Sequence, residues 1–149
     1  GEVDVVVLAG LTDKTMVRLL EEGKDDIPHL TQVICCPPAL EVHLRPGLAA
    51  LGLKITSETI AFKRHRSYDI IASEPGEVTE APHPWGPVLI ANRDPLLRRH
   101  LEVQRRLFHR DFDTEMQSHI QPDGTLDAMG QKLSMLEGLL TKMHAEKEG

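Results

Sequence analysis

Apolar residues fall along the chain in three different rhythms. From residue 3 to residue 8, VDVVVL, they run almost without a break. A half-buried strand would alternate, so this run predicts a strand buried on both faces. Gly10 ends it. Thr12 or Asp13 can cap a helix there, because each offers a side-chain oxygen to free backbone N–H groups. Met16, Val17, Leu19 and Leu20 form the apolar stripe of that helix, which Gly23 stops. A loop punctuated by Pro28 leads to a second short apolar strand over residues 32–36, closed by Pro37 and Pro38. Leu40, Leu44, Leu48 and Leu51 then recur at helical spacing and predict a helix over residues 38–51. Pro46-Gly47 in its middle should kink or break it.

The rhythm changes again after Gly52. Residues 53–62, rich in Ile and Thr, and residues 68–73 read as two strands of an antiparallel hairpin. The polar connector between them is Lys63-Arg64-His65-Arg66. A Pro-rich link over residues 77–93 follows. Two long helices close the chain, one from residue 94 to about 119 and one from 125 to about 147. Leu97, Leu101, Leu107, Phe108 and Phe112 mark the first. Leu126, Met129, Leu133, Leu136, Leu140 and Met143 mark the second, in steps of three and four that define a heptad seam. With Gln121-Pro122-Asp123-Gly124 as the turn, they read as a helical hairpin packed as an antiparallel coiled coil. Strands alternating with helices imply parallel pairing, and the tight hairpin must add one strand running against the rest. The expected domains are a partial α/β domain over 1–76, the link over 77–93 and the helical hairpin over 94–149.

Composition narrows the chemistry. The 149 residues carry a net charge of -6, so contact with nucleic acid must come from local basic patches. Two patches stand out: the connector with Lys63, Arg64 and Arg66, and the arginines of the first long helix. There Arg98 and Arg105 are seven residues apart and share a face. Both patches read either as phosphate contacts or as solvated surface. Aromatics make up only 3% of the chain, too few for a base-stacking platform. The two cysteines are the adjacent Cys35 and Cys36, which suits inert thiols in a reducing compartment. No apolar run approaches the length of a membrane span and no leader pattern is present, so a soluble, cytoplasmic protein is expected. The histidines are scattered without ligand spacing, so no metal site is expected. No nucleophile–base pair is recognisable.

The ordered motifs resemble the bacterial tRNA (adenine(22)-N(1))-methyltransferase family, whose members use S-adenosylmethionine. Family members carry a strand ending in Ile-Ala-Gly-Met-Gly-Gly, and here Val7-Leu8-Ala9-Gly10-Leu11-Thr12-Asp13 stands in its place. The short strand ending in prolines is matched by Ile34-Cys35-Cys36-Pro37-Pro38-Ala39, and the following helix by Leu44-Arg45 and Leu51-Gly52. The family's Tyr-Glu-Ile-Ile strand is matched by Tyr68-Asp69-Ile70-Ile71. Trp85-Gly86-Pro87 and Asp94-Pro95 match its Gly-Pro and the Asp-Pro that opens its next helix. The resemblance implies an α/β fold, the C-terminal half of a Rossmann-like class I methyltransferase sheet with its antiparallel hairpin, followed by the helical hairpin.

What the resemblance implies for sites is specific. Ala9, Gly10, Leu11, Thr12 and Asp13 would close the far side of the S-adenosylmethionine site, at the strand end where open α/β sheets bind ligands. Pro37 and Pro38 would line the pocket for the target base. Lys63, Arg64, Arg66, Arg98 and Arg105 would contact tRNA. Asp13 is the only acidic group in the cofactor-side loop, and the catalytic base is unassigned. Two departures matter. The family's glycine-rich turn and ribose-gripping acid are not found in these 149 residues, and Gly10 is followed by Leu11-Thr12-Asp13 where the family has Met-Gly-Gly. Two functions therefore stay open. One is the distal part of a tRNA methyltransferase acting on a ring nitrogen of adenine. The other is a non-catalytic scaffold that binds RNA or protein through the basic patch and coiled coil. A strand at residues 3–8 with no neighbour on one side is an exposed edge. Its expected cover is an amino-terminal half, a second chain or a homodimer.

Overall fold

The computed structural model describes residues 2–38, 42–79, 82–83, 85–117 and 125–149, with the backbone alone at 115 and 125–128. Two compact units divide at Asp94 and Pro95. The first holds a four-stranded sheet in the order β1-β2-β4-β3, built from β1 (Val5–Ala9), β2 (Gln32–Cys36), β3 (Leu53–Lys63) and β4 (Arg66–Pro75). β1 and β2 pair in parallel, with Ala9 level with Cys36. β4 is antiparallel to both β2 and β3. The hairpin expected from the sequence is therefore present, and its turn is shorter than expected, only Arg64 and His65.

Helix α1 (Asp13–Glu22) is capped by Thr12, whose Oγ1 accepts from Thr15 N at 3.3 Å. It lays Met16 and Leu20 on a core completed by Val33, Cys35, Leu44, Leu48, Leu53 and Ile71. Helix α2 covers only Leu44–Ala50, much less than the 38–51 expected, and Leu40 lies outside the described residues. The late start explains why Pro46 leaves it intact. In the first turn the proline's missing N–H has no intrahelical acceptor to lose. Gly47 lets α2 lie directly on α1, since a Cβ there would sit 2.6 Å from Val17 Cγ2.

A further expectation is corrected in this unit. β1 is not buried on both faces. Val6 and Leu8 pack on the core, whereas Val5 and Val7 on the opposite face are 45% and 60% exposed. The physical reason is layering: α1 and α2 supply Met16, Leu20, Leu44 and Leu48 to the Val6 and Leu8 face, and among the described residues no layer buries the opposite face of β1. The Pro-rich link over 77–93 carries a short element of its own. It contains the short helix α3 (Pro87–Ala91), introduced by the buried Trp85 and by Gly86 at φ 83°. α3 ends in a Schellman arrangement, with Asp94 N donating to Leu89 O and Arg93 N to Ile90 O.

The second unit is α4 (Leu97–Gln117) and α5 (Thr125–Glu148). Arg98 reaches His144 and Arg105 reaches Glu137, so as one helix advances the other recedes and the pair is antiparallel. Leu97, Leu101, Leu136 and Leu140 are buried, together with His100 and Gln104. The predicted turn at 121–124 and the side chain of Leu126 lie outside the description. Among the described residues no helix is long and apolar enough to cross a membrane.

Candidate functional site

The carboxy ends of β1 and β2 lie side by side, and the chain leaving each strand is tied to the other. Gly10 takes φ 72° and its N–H donates to Cys36 O at 3.3 Å. The segment Ala9, Gly10, Leu11, Thr12 and Asp13 therefore borders the segment that begins at Pro37 and Pro38. A Cβ on Gly10 would meet no described residue within 4 Å, so among the described residues this turn has open space on one side. Residues 39–41, which continue the proline turn, lie outside the described residues.

Asp13 does something the sequence did not suggest. It is 3% exposed, and its carboxylate accepts from Lys14 N at 2.7 Å and from His43 N at 3.2 Å. One side chain thus fastens the loop after β1 to the loop before α2. Both oxygens are engaged by backbone N–H groups, which suits a positioning role better than proton abstraction.

Beneath these loops lies a buried charge cluster. Arg45, 1% exposed, donates from Nε to Glu58 Oε1 at 2.7 Å and from a terminal nitrogen to Asp69 Oδ1 at 3.1 Å. Glu58 Oε2 in turn accepts from Val88 N at 2.8 Å and Leu89 N at 3.3 Å at the start of α3. The cluster was missed in the sequence, yet a signal exists. Asp69 shares strand parity with Ile71, and Glu58 with Ile60, both buried. The β3 signal is obscured by an irregularity between Ile55 and Ser57, which switches the inward positions from Leu53 to Glu58 and Ile60.

The hairpin carries Lys63, Arg64, His65 and Arg66 at its tip, all exposed, with Arg64 at φ 56°. Because β3 runs parallel to β1 and β2, the tip points to the same end of the sheet as the two loops. Of the arginines on α4, Arg98 contacts Glu102 and His144, and Arg105 contacts Glu137. They belong to the second unit. Cys35 and Cys36 are free, and burial, helped by the neighbouring Cys36, pushes the Cys35 thiol up to about 12. Burial also raises Cys36. Among the described residues no group of three or more His, Cys, Asp or Glu side chains could hold a metal ion.

Two parallel strands, their covering helices and an antiparallel hairpin define the distal half of a Rossmann-like α/β sheet, with loops gathered at the ligand-binding end. The model of the tRNA (adenine(22)-N(1))-methyltransferase family matches residues 1–121, and the chain belongs to that family. A tRNA (adenine(22)-N(1))-methyltransferase of Bacillus subtilis is 27% identical over 77 residues, covering 52% of this chain and 32% of that protein. The structure of Streptococcus pneumoniae Sp1610 in complex with S-adenosyl-L-methionine is similar with a TM-score of 0.70 at 20% identity. That match covers 93% of this chain and 61% of Sp1610. The Bacillus subtilis m1A22 tRNA methyltransferase structure matches with a TM-score of 0.64 at 20% identity, over 94% of this chain and 64% of its own. These likenesses establish the fold, and the chain spans about three-fifths of the solved relatives' length.

Proposed function

We propose that the chain supplies the distal part of an S-adenosylmethionine-dependent tRNA methyltransferase that modifies a ring nitrogen of adenine. The observation that carries the reading is the shared end of β1 and β2, where Gly10 N donates to Cys36 O and Asp13 joins the loop after β1 to His43 N, the end at which open α/β sheets bind ligands. The open side of Gly10 fits one wall of a cofactor site, with Ala9, Gly10, Leu11 and Thr12 as its surface. Bound S-adenosylmethionine would supply an electrophilic methyl group there. Pro37 and Pro38 would flank the adenine. Asp13 would keep both loops in register, so that orientation rather than a strong base does most of the work. Lys63, Arg64 and Arg66 would hold tRNA phosphates, with Arg98 and Arg105 adding contacts once their exposed pairs exchange partners.

The same reading gives β1 a neighbour. A groove of about 520 Å³ runs beside it, lined by Val3, Val6, Leu8, Leu19, Leu20 and Leu30 among others. Polypeptide carrying a further strand and the glycine-rich turn would pair with this edge, from the same chain, a second chain or a second copy. Crosslinking with light scattering tests it, and a stable monomer with β1 uncovered would contradict it.

Calorimetric titration of S-adenosylmethionine tests the cofactor wall. Micromolar binding that Gly10→Val abolishes would support the enzyme reading, to be followed by methyl transfer to tRNA. A second reading, a non-catalytic scaffold that binds RNA or protein, is favoured by Asp13, whose carboxylate is fully engaged where the family has glycine. RNA binding with no methyl transfer under any completion of the sheet would support it.

A further inference from the structure

We infer that the β3–β4 tip is an overhanging arm that grips an RNA backbone away from the loops that follow β1 and β2. This rests on the tRNA reading above and adds where the backbone is held. The first support is register. Ala9, Cys36 and Ile70 stand level, since Ala9 pairs with Cys36 and Cys35 with Ile71. β4 runs on for four more residues to Arg66, paired with Lys63 of β3. At about 3.3 Å per residue the tip stands some ~13 Å beyond the ends of the parallel strands.

The second support is charge. Lys63, Arg64, His65 and Arg66 are consecutive and exposed. The side chains of Lys63, Arg64 and Arg66 make no hydrogen bond or ion pair with any described residue. Several other arginines are paired, Arg45 with Glu58 and Asp69, Arg98 with Glu102, Arg105 with Glu137 and Arg110 with Asp111, whereas among the described residues Arg18 and Arg93 stand singly; only at the tip do three such cations fall within four residues. In a chain of net charge -6, three adjacent uncommitted cations make this tip a local positive field that attracts an anion.

The third support is backbone. Arg64 sits at φ 56°, in a two-residue turn where glycine, asparagine or aspartate would be easier. Arginine there is held at a steric cost while its side chain serves no internal partner. The turn projects the Arg64 side chain from the extreme end of the hairpin. Gripping by charge alone positions a backbone without reading its sequence.

The test is fluorescence anisotropy of an unmodified tRNA transcript against the 149-residue chain, from about 50 to 200 mM salt. Arg64→Gly and Arg64→Asn suit the turn and remove the charge. They should keep or raise the melting temperature, weaken binding about three- to tenfold and lower the salt slope by about one. Arg64→Lys should bind like the parent. Lys63→Gln with Arg64→Gly and Arg66→Gln should lower the slope by about three. Parent-like affinity and slope in that triple variant would overturn the arm, and with it the phosphate role of Lys63, Arg64 and Arg66, and leave the rest of the tRNA reading standing. No tRNA binding by the parent chain would overturn both.

Discussion

At position 47 helices α1 and α2 touch through a missing side chain. Alanine would raise the helix propensity of α2 by up to about 1 kcal/mol. Its Cβ, however, would press on Val17, a β-branched residue with little rotamer freedom. Overpacking typically costs about 1–3 kcal/mol, so the clash wins. Gly47→Ala should lower stability in urea unfolding, and adding Val17→Ala should restore part of the loss. Cys35 gives a pH prediction. Its thiol stays protonated in the fold up to about 12, whereas an ordinary cysteine thiol titrates near 9.0. The folded state therefore binds the extra proton, and this contribution is complete below about pH 9 and lost as pH rises towards 12. The urea midpoint should fall between pH 9 and 11, and Cys35→Ala should flatten that fall. Alkylation of native protein at neutral pH should be slow at both cysteines.

Two elements depend on groups that lie far apart in sequence. α2 and α3 are both pinned to the sheet through Glu58, from Arg45 on one side and the amides of Val88 and Leu89 on the other. Removing the arginine strands two buried carboxylates. Arg45→Met should cost about 3–5 kcal/mol in urea unfolding. A loss below about 1 kcal/mol would show that the cluster contributes little. The end of α3 offers a gain instead. Arg93 stands at φ 49° in the position of the Schellman turn where glycine is preferred. Arg93→Gly should stabilise by roughly 0.5–1 kcal/mol, read as a higher urea midpoint. These elements also mark what the sequence could reveal. β1, α1, β2 and the hairpin were legible because their apolar periods are unbroken. α2 was overextended because Leu40 and Leu51 continue the spacing beyond the helix. α3 was hidden, since its five residues are too few for a period and lie among prolines. Arg45, Glu58 and Asp69 were illegible as a set, because only the irregularity at Ile55 and Ser57 turns Glu58 inward.

For the whole molecule, strand direction brings distant segments to one end. Residues 9–13, 36–38 and 63–66 are far apart in sequence, and all lie at the carboxy end of β1 and β2. The sequence supplied each segment as a candidate, and only the register shows that they share an end and that the tip overhangs the others. The arginines of α4 looked equally basic in the sequence, and their acidic neighbours on α4 and α5 were what distinguished them. The central claim is that this end of the sheet faces RNA. Ultraviolet crosslinking of the chain to an unmodified tRNA transcript, with the joined peptides identified by mass spectrometry, tests it most directly. Crosslinks should fall on peptides holding residues 63–66 and on those holding residues 9–13 or 36–43. Crosslinks confined to α4 and α5, or none at all, would contradict the account.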